Sequence, residues 1–279
     1  MNTGSTCETE SGTLVAVIPT VDGLIVASDS RGMIRGRPID TRQKLQIANT
    51  KRPTVFVITG APDFPLQCPP EVPPEVWFAN PLYLFRSCDV LQAYFAAHPD
   101  FRLSATSLHE AARSLADAAS AFLKACPAKR QEFAYKNLSY VVICQADHDG
   151  LMCRGVCLAV DGDGQVSPAD TADRYWKSGY PKDFELFGSS DYVIEHVLNG
   201  EGQRFLVGSA VSNWDQKQLI AEVRTLDAAQ WAATLIKATE QMTALKPIPS
   251  GAGIGGPVSC LLLTESDASA VLMTAPQSV

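Results

Sequence analysis

Four residues near the start of the chain, Thr13, Asp29, Lys44 and Gly60, have the types and spacing that amide chemistry requires. A threonine hydroxyl is a poor nucleophile until something takes its proton. A free α-amine on the same residue can do so, directly or through a water. Such an amine has a pKa of about 7.7–8.0, close to working pH, and a nearby cation lowers it. Thr13 gains that amine only if residues 1–12 are removed as a propeptide. Gly12 suits the cut: without a Cβ, the chain can take the strained conformation in which the Thr13 hydroxyl attacks the preceding carbonyl. A buried Lys44 paired with Asp29 keeps its charge and stabilises the alkoxide-like form of that hydroxyl. Gly60 lets a backbone N–H approach a reacting carbonyl closely and serve as an oxyanion donor.

The elements around these residues must bring them together. In "SGTLVAVIPTVDGLIVASDSR", residues 11–31, β-rich runs at 13–19 and 23–28 flank a Val21-Asp22-Gly23 turn. Hairpin pairing returns 28–30 toward 13–15, and so Asp29 toward Thr13. "KLQIA" (44–48) and "TVFVITG" (54–60) read as two more strands, the second ending at Gly60. Residues 61–81 are loop-like and proline-rich. Helices are expected at 82–97 and from Ser107, where Glu110 completes a capping box. Leu108, Ala112, Leu115, Ala119 and Phe122 repeat at helical spacing in the second.

"NLSYVVICQA" and "LMCRGVCLAV" then flank an Asp147–Gly150 turn, with a second turn signal at Asp161–Gly164. Helices are expected at 190–199, 214–223 and 226–244, and closing strands at 257–264 and 269–275. Hairpins dominate and βαβ alternation is missing. The expected class is α+β: two antiparallel sheets packed face to face, each covered by helices, in one domain over 13–279 with a Pro-rich insertion at 61–81.

Composition narrows the function. A net charge of −7 argues against nucleic acid. No apolar run approaches the roughly 20 residues of a membrane helix. The polar, acidic start "MNTGSTCETE" is unlike a signal or transit peptide. Eight cysteines without a CxxC pair read as reduced core residues, which points to the cytoplasm. His98, His109, His148 and His196 have no metal spacing, so neither metal nor cofactor is expected. "GAGIGG" at 251–256 matches a dinucleotide fingerprint in letters only, since a helix precedes it and a strand follows. Asp161–Gly164 lacks the downstream ligands of a calcium loop.

Gly12-Thr13, "VDGLIVASDSR", Lys44-Leu45 and "VITG" together resemble the proteasome β-subunit family of N-terminal-nucleophile (Ntn) hydrolases, in particular its bacterial homologues. The lysine lies one residue nearer the threonine than is usual there. The resemblance implies a four-layer αββα sandwich and a self-processing threonine peptidase. It also implies a homo-oligomeric ring, a peptide or protein substrate, and room for an ATP-dependent unfoldase partner. It implies a serine near the threonine amine, for which Ser189 in "FGSSDYVIEHVL" is preferred to Ser209. Gly32 and Ile58 are the implied pocket walls. The family's late aspartate–serine pair should fall in "PSGAGIGGPVSC", where no aspartate occurs and Ser250 is the candidate hydroxyl.

Each of these residues also has a plainer reading. Thr13 could be a strand residue, Asp29–Lys44 a structural ion pair, Gly60 a strand end and Ser189 a helix N-cap. The Pro-rich segment could be a surface insertion or a wall of the substrate cleft. Two other functions stay open: an inactive, unprocessed structural subunit of the same fold, and an Ntn hydrolase of small amides.

Overall fold

The computed structural model describes residues 13–34, 37–40, 43–60, 63–65, 84–125, 127–147, 150–176, 184–206, 224–248 and 253–271. Gly12, Ser209, Ser250, the 214–223 helix and most of the Pro-rich segment lie outside the described residues. The chain opens with β1 (Leu14–Pro19) and β2 (Leu24–Asp29), then a small hairpin of β3 (Gly32–Ile34) and β4 (Arg37–Ile39). β5 (Leu45–Ile47), β6 (Thr54–Gly60), β7 (Asp63–Pro65) and β8 (Leu84–Arg86) follow. Helices α1 (Ser87–Ala97), α2 (Ala105–Ala125) and α3 (Pro127–Phe133) come next. Then come β9 (Asn137–Asp147), β10 (Gly150–Val160), β11 (Val166–Trp176) and β12 (Glu185–Gly188). The short α4 (Ser190–Tyr192) runs into a wider π-helical stretch, Val193–Leu198. The long α5 (Thr225–Leu245), β13 (Val258–Leu263) and β14 (Ala268–Ala270) complete the described elements.

Two five-stranded sheets carry the fold, in orders β12-β1-β2-β13-β14 and β11-β10-β9-β6-β5. Every pairing within them is antiparallel. Strand alternation sorts their side chains into three apolar layers. Val15, Val17 and Val26 meet Val55, Val57 and Val142 between the sheets. Leu14, Ala16, Ile25 and Ala27 pack outward on Trp231, Leu235 and Ile236 of α5. Phe56, Ile58, Val141 and Ile143 pack on the other side with Leu91, Phe95 and Leu115 of α1 and α2. The layer order is therefore helix, sheet, sheet, helix, an α+β two-sheet sandwich as expected. With both faces covered, all six residues of β1 are buried, and the strand reads as one apolar run rather than an alternating one.

Three sequence expectations are corrected. The first helix starts at Ser87, because 84–86 pairs as a strand with 63–65. The second starts at Ala105, and its cap is Ser104. The Ser104 hydroxyl accepts from the Ser107 N–H (3.1 Å), and the Ser107 hydroxyl accepts from the Ser104 N–H (2.8 Å). Ser107 is thus the inner member of a capping box, not its first residue. Strands β11 and β12 were not expected. β11 carries Pro168 and two aspartates, which an edge strand tolerates. The five described cysteines are buried, as expected of core residues.

Phe56 anchors the helix-side layer: it is fully buried, with its ring centroid 5.4 Å from that of Phe95. Phe56→Ala should lower unfolding free energy by about 3–5 kcal/mol in urea denaturation. A change under about 1 kcal/mol would mean that this layer is not closely packed.

Candidate active site

The first hairpin fixes the site. Its turn is held by the Thr20 hydroxyl, which accepts the N–H groups of Asp22 (3.2 Å) and Gly23 (3.0 Å). The register that follows pairs Val15 with Ser28, bringing Asp29 level with the start of β1. The outer neighbours converge at the same end, where Leu14 pairs with Gly188 of β12 and Asp29 with Val258 of β13. Lys44 arrives from the other sheet, directly before β5.

These three residues meet. Lys44 Nζ donates to Thr13 Oγ1 at 2.8 Å and to the Asp29 carboxylate at 3.2 and 3.1 Å. Thr13, Asp29 and Lys44 are 2%, 1% and 4% exposed, so water screens their charges little. Asp29 also accepts the backbone N–H groups of Leu14 (3.1 Å), Arg31 (3.2 Å) and Gly255 (3.3 Å). Burial pushes its carboxyl above the ordinary value, while the Lys44 charge and these hydrogen bonds pull it back. An ammonium fixed 2.8 Å from a hydroxyl oxygen stabilises negative charge that develops there.

Ser189 is buried, and its N–H donates to the Thr13 carbonyl at 3.0 Å. It stands at the N-cap of α4, yet its hydroxyl makes no capping bond. Gly188, at φ +84°, lies so close that a Cβ there would sit 2.1 Å from the Thr13 oxygen. The same Cβ would lie 3.6 Å from the methyl of Thr59, the residue before Gly60. Gly60 ends β6 at φ +94° and pairs with Ser139. Gly32 is buried at the start of β3, and Ile58 is fully buried in the helix-side layer. Among the described residues, no cluster of three or more His, Cys, Asp or Glu side chains could hold a metal ion. None of their helices is long and apolar enough to cross a membrane.

Sequence reasoning missed Gly255. The "GAGIGG" letters give no sign that the Gly255 N–H reaches Asp29. The Gly255 carbonyl also accepts the N–H groups of Ser30 (3.3 Å) and Arg31 (3.0 Å), so this loop closes over the end of β2.

The chain is similar to a solved Anbu structure. That structure is the Anbu (Gly-1) mutant from Hyphomicrobium sp. strain MC1, at 16% identity and a TM-score of 0.43, covering 92% of this chain and 85% of that one. No protein-family model matches the chain, and no curated protein matches it.

The rim of the site carries charge that pH can remove. Arg31 pairs with both Asp40 oxygens, at 2.7 and 2.9 Å, and holds that carboxyl below its ordinary value of 3.8. A carboxyl lowered by folding adds stability that is present above its unfolded pKa and lost as pH falls through the folded one. Asp40→Asn should therefore melt below wild type at about pH 6 and converge with it in acid below the ordinary carboxylate range. Calorimetry across that range checks the sign: a gap that widens in acid would contradict the pairing. Asp29, raised by burial, contributes with the opposite sign and is common to both proteins, so the difference isolates the Arg31 pair.

Proposed function

We propose that this protein is a threonine-type Ntn hydrolase that cleaves amide bonds, most simply a proteasome-like peptidase that processes itself. The carrying observation is the buried contact of Lys44 Nζ with Thr13 Oγ1 at 2.8 Å, backed by Asp29. In processing, the Thr13 hydroxyl attacks the carbonyl of Gly12. The C–N bond breaks, the nitrogen takes the proton, and water hydrolyses the ester, leaving an α-amine on Thr13. In turnover that amine takes the hydroxyl proton as the oxygen attacks the substrate carbonyl, and passes it to the leaving amine. An acyl ester remains, and water releases it as a carboxylic acid. Lys44 supports the oxygen throughout, and the Gly60 N–H is the proposed oxyanion donor. By the same family resemblance the protein assembles as a homo-oligomeric ring.

One observation favours the inactive-subunit reading. The described part of the late loop, Gly253-Ile254-Gly255-Gly256, has no side-chain hydroxyl or carboxylate to offer, and gives Asp29 only a backbone N–H. Turnover of fluorogenic peptides and of small amides decides among the readings. The proposal expects peptide release by wild type and at least a ~10³-fold loss in Thr13→Ala. Release from small amides alone would select the small-amide hydrolase. No release from either would favour the inactive subunit.

A further inference from the structure

The loop that gives Asp29 its third backbone donor has no carboxylate of its own, and two acidic side chains from elsewhere gather round it. Asp40 and Glu240 both reach the Arg31 guanidinium, Glu240 at 2.7 Å. Arg31 Nη1 lies 3.4 Å from the Ile254 carbonyl. Glu240 accepts the Gly256 N–H at 3.4 Å and pairs with Lys237 at 2.9 Å. Lys237 in turn donates to the Gly256 carbonyl at 2.8 Å. The loop backbone is thus held by Glu240 and Lys237 of α5 and by Arg31. A side chain at 255 would collide with this clamp, since a Cβ there would sit 2.4 Å from Glu240 Oε1 and 2.7 Å from Arg31 Nη1.

We propose that Glu240, on the long helix α5, is a positioning residue for the Thr13–Lys44–Asp29 site. It fastens Gly255-Gly256 to Arg31, so that the Gly255 N–H stays on Asp29 and the carboxylate stays aimed at Lys44. It supplies from a distant helix the acidic anchor that the late loop lacks. Three observations support this over a surface ion pair. The Glu240 and Arg31 side chains are only 25% and 20% exposed, so their attraction is less screened than that of a fully solvated pair. The clamp holds the loop backbone at three points, the Ile254 carbonyl and the N–H and carbonyl of Gly256. The residue it holds, Gly255, touches Asp29 directly. Its effect on rate rests on the proposed role of Thr13; its effect on the Gly255 N–H does not.

The test is amide hydrogen exchange at Gly255 in the full chain, for wild type, Glu240→Ala and Glu240→Gln, with Lys51→Ala as the control. Lys51 holds a largely exposed ion pair with Asp100. Glu240→Ala should speed exchange at Gly255 by about tenfold or more, with the core strand amide of Cys260 unchanged. Glu240→Gln keeps an acceptor for Gly256 and should fall between the two. Lys51→Ala should match wild type. In peptide turnover, Glu240→Ala should lower kcat about tenfold with KM unchanged, and Glu240→Gln should recover part of it. Unchanged Gly255 exchange in a folded Glu240→Ala would overturn the proposal, as would equal acceleration at Gly255 and Cys260. If wild type shows no turnover, the function proposed for Thr13 fails, and the exchange data alone decide the role of Glu240.

Discussion

Lys44→Met should abolish processing and hydrolysis, at least ~10³-fold in rate, and should destabilise the fold in a pH-dependent way. The substitution keeps the apolar stem but removes the ammonium that faces both Thr13 Oγ1 and Asp29. Removing one partner of a buried ion pair strands the other and costs about 3–5 kcal/mol. Three backbone N–H groups still serve Asp29, which places the expected loss near the lower end, about 3 kcal/mol. The sign with pH follows from burial. Asp29 is already raised above its ordinary value, and without Lys44 it rises further. A carboxyl raised by folding adds stability below its unfolded pKa and loses it as pH climbs through the folded pKa. The gap between Lys44→Met and wild type should therefore be widest at alkaline pH and shrink in mild acid. Urea denaturation at several pH values reads this, and a gap independent of pH would mean that the ion pair does not carry the site.

Gly188→Ala should be the most damaging single-methyl change near the site. Gly188 holds φ +84°, which an L side chain rarely adopts. Its new Cβ would lie 2.1 Å from the Thr13 oxygen and 3.1 Å from the Thr13 carbonyl carbon. Neither strand can retreat freely, because Leu14 pairs with Gly188 and the Ser189 N–H binds the same Thr13 oxygen. Backbone strain and overpacking together should cost about 2–4 kcal/mol. The displacement of Thr13 away from Lys44 should slow processing by about 100-fold or more. A time course of processing beside a melting curve separates the two effects. Wild-type rates in this variant would mean that Thr13 and Gly188 are not packed as described.

The elements that were legible in the sequence are those with strong local signals. The β1–β2 hairpin, β6 and the β9–β10 hairpin stand out as apolar runs with Gly-containing ends or turns, and the register of the first carries Asp29 to Thr13. Lys44 was legible for a related reason, being the polar residue directly before a short strand. Strands β3, β4, β7 and β8 are three residues each, too short for period-2 alternation to show. β11 is long but lies at a sheet edge, where polar residues and proline carry no penalty. The second helix start was misjudged because Ser104 and Ser107 both precede its apolar stripe, and Ser-x-x-Glu is the better-known capping pattern. Gly255 was missed for a deeper reason. Its contact with Asp29 joins residues 226 positions apart, and no local pattern encodes such a meeting. The Arg31–Glu240 pair is hidden in the same way, although Lys237 and Glu240 already share a helix face at i, i+3 spacing.

The central claim is that one residue supplies both a hydroxyl and, after cleavage, an amine beside a buried ammonium–carboxylate pair. Intact mass of the purified protein tests it most directly. The account predicts that wild type matures to a chain beginning at Thr13, while Thr13→Ala keeps the residues before it. A wild-type mass that retains them under every condition, or an equal cut in Thr13→Ala, would contradict it.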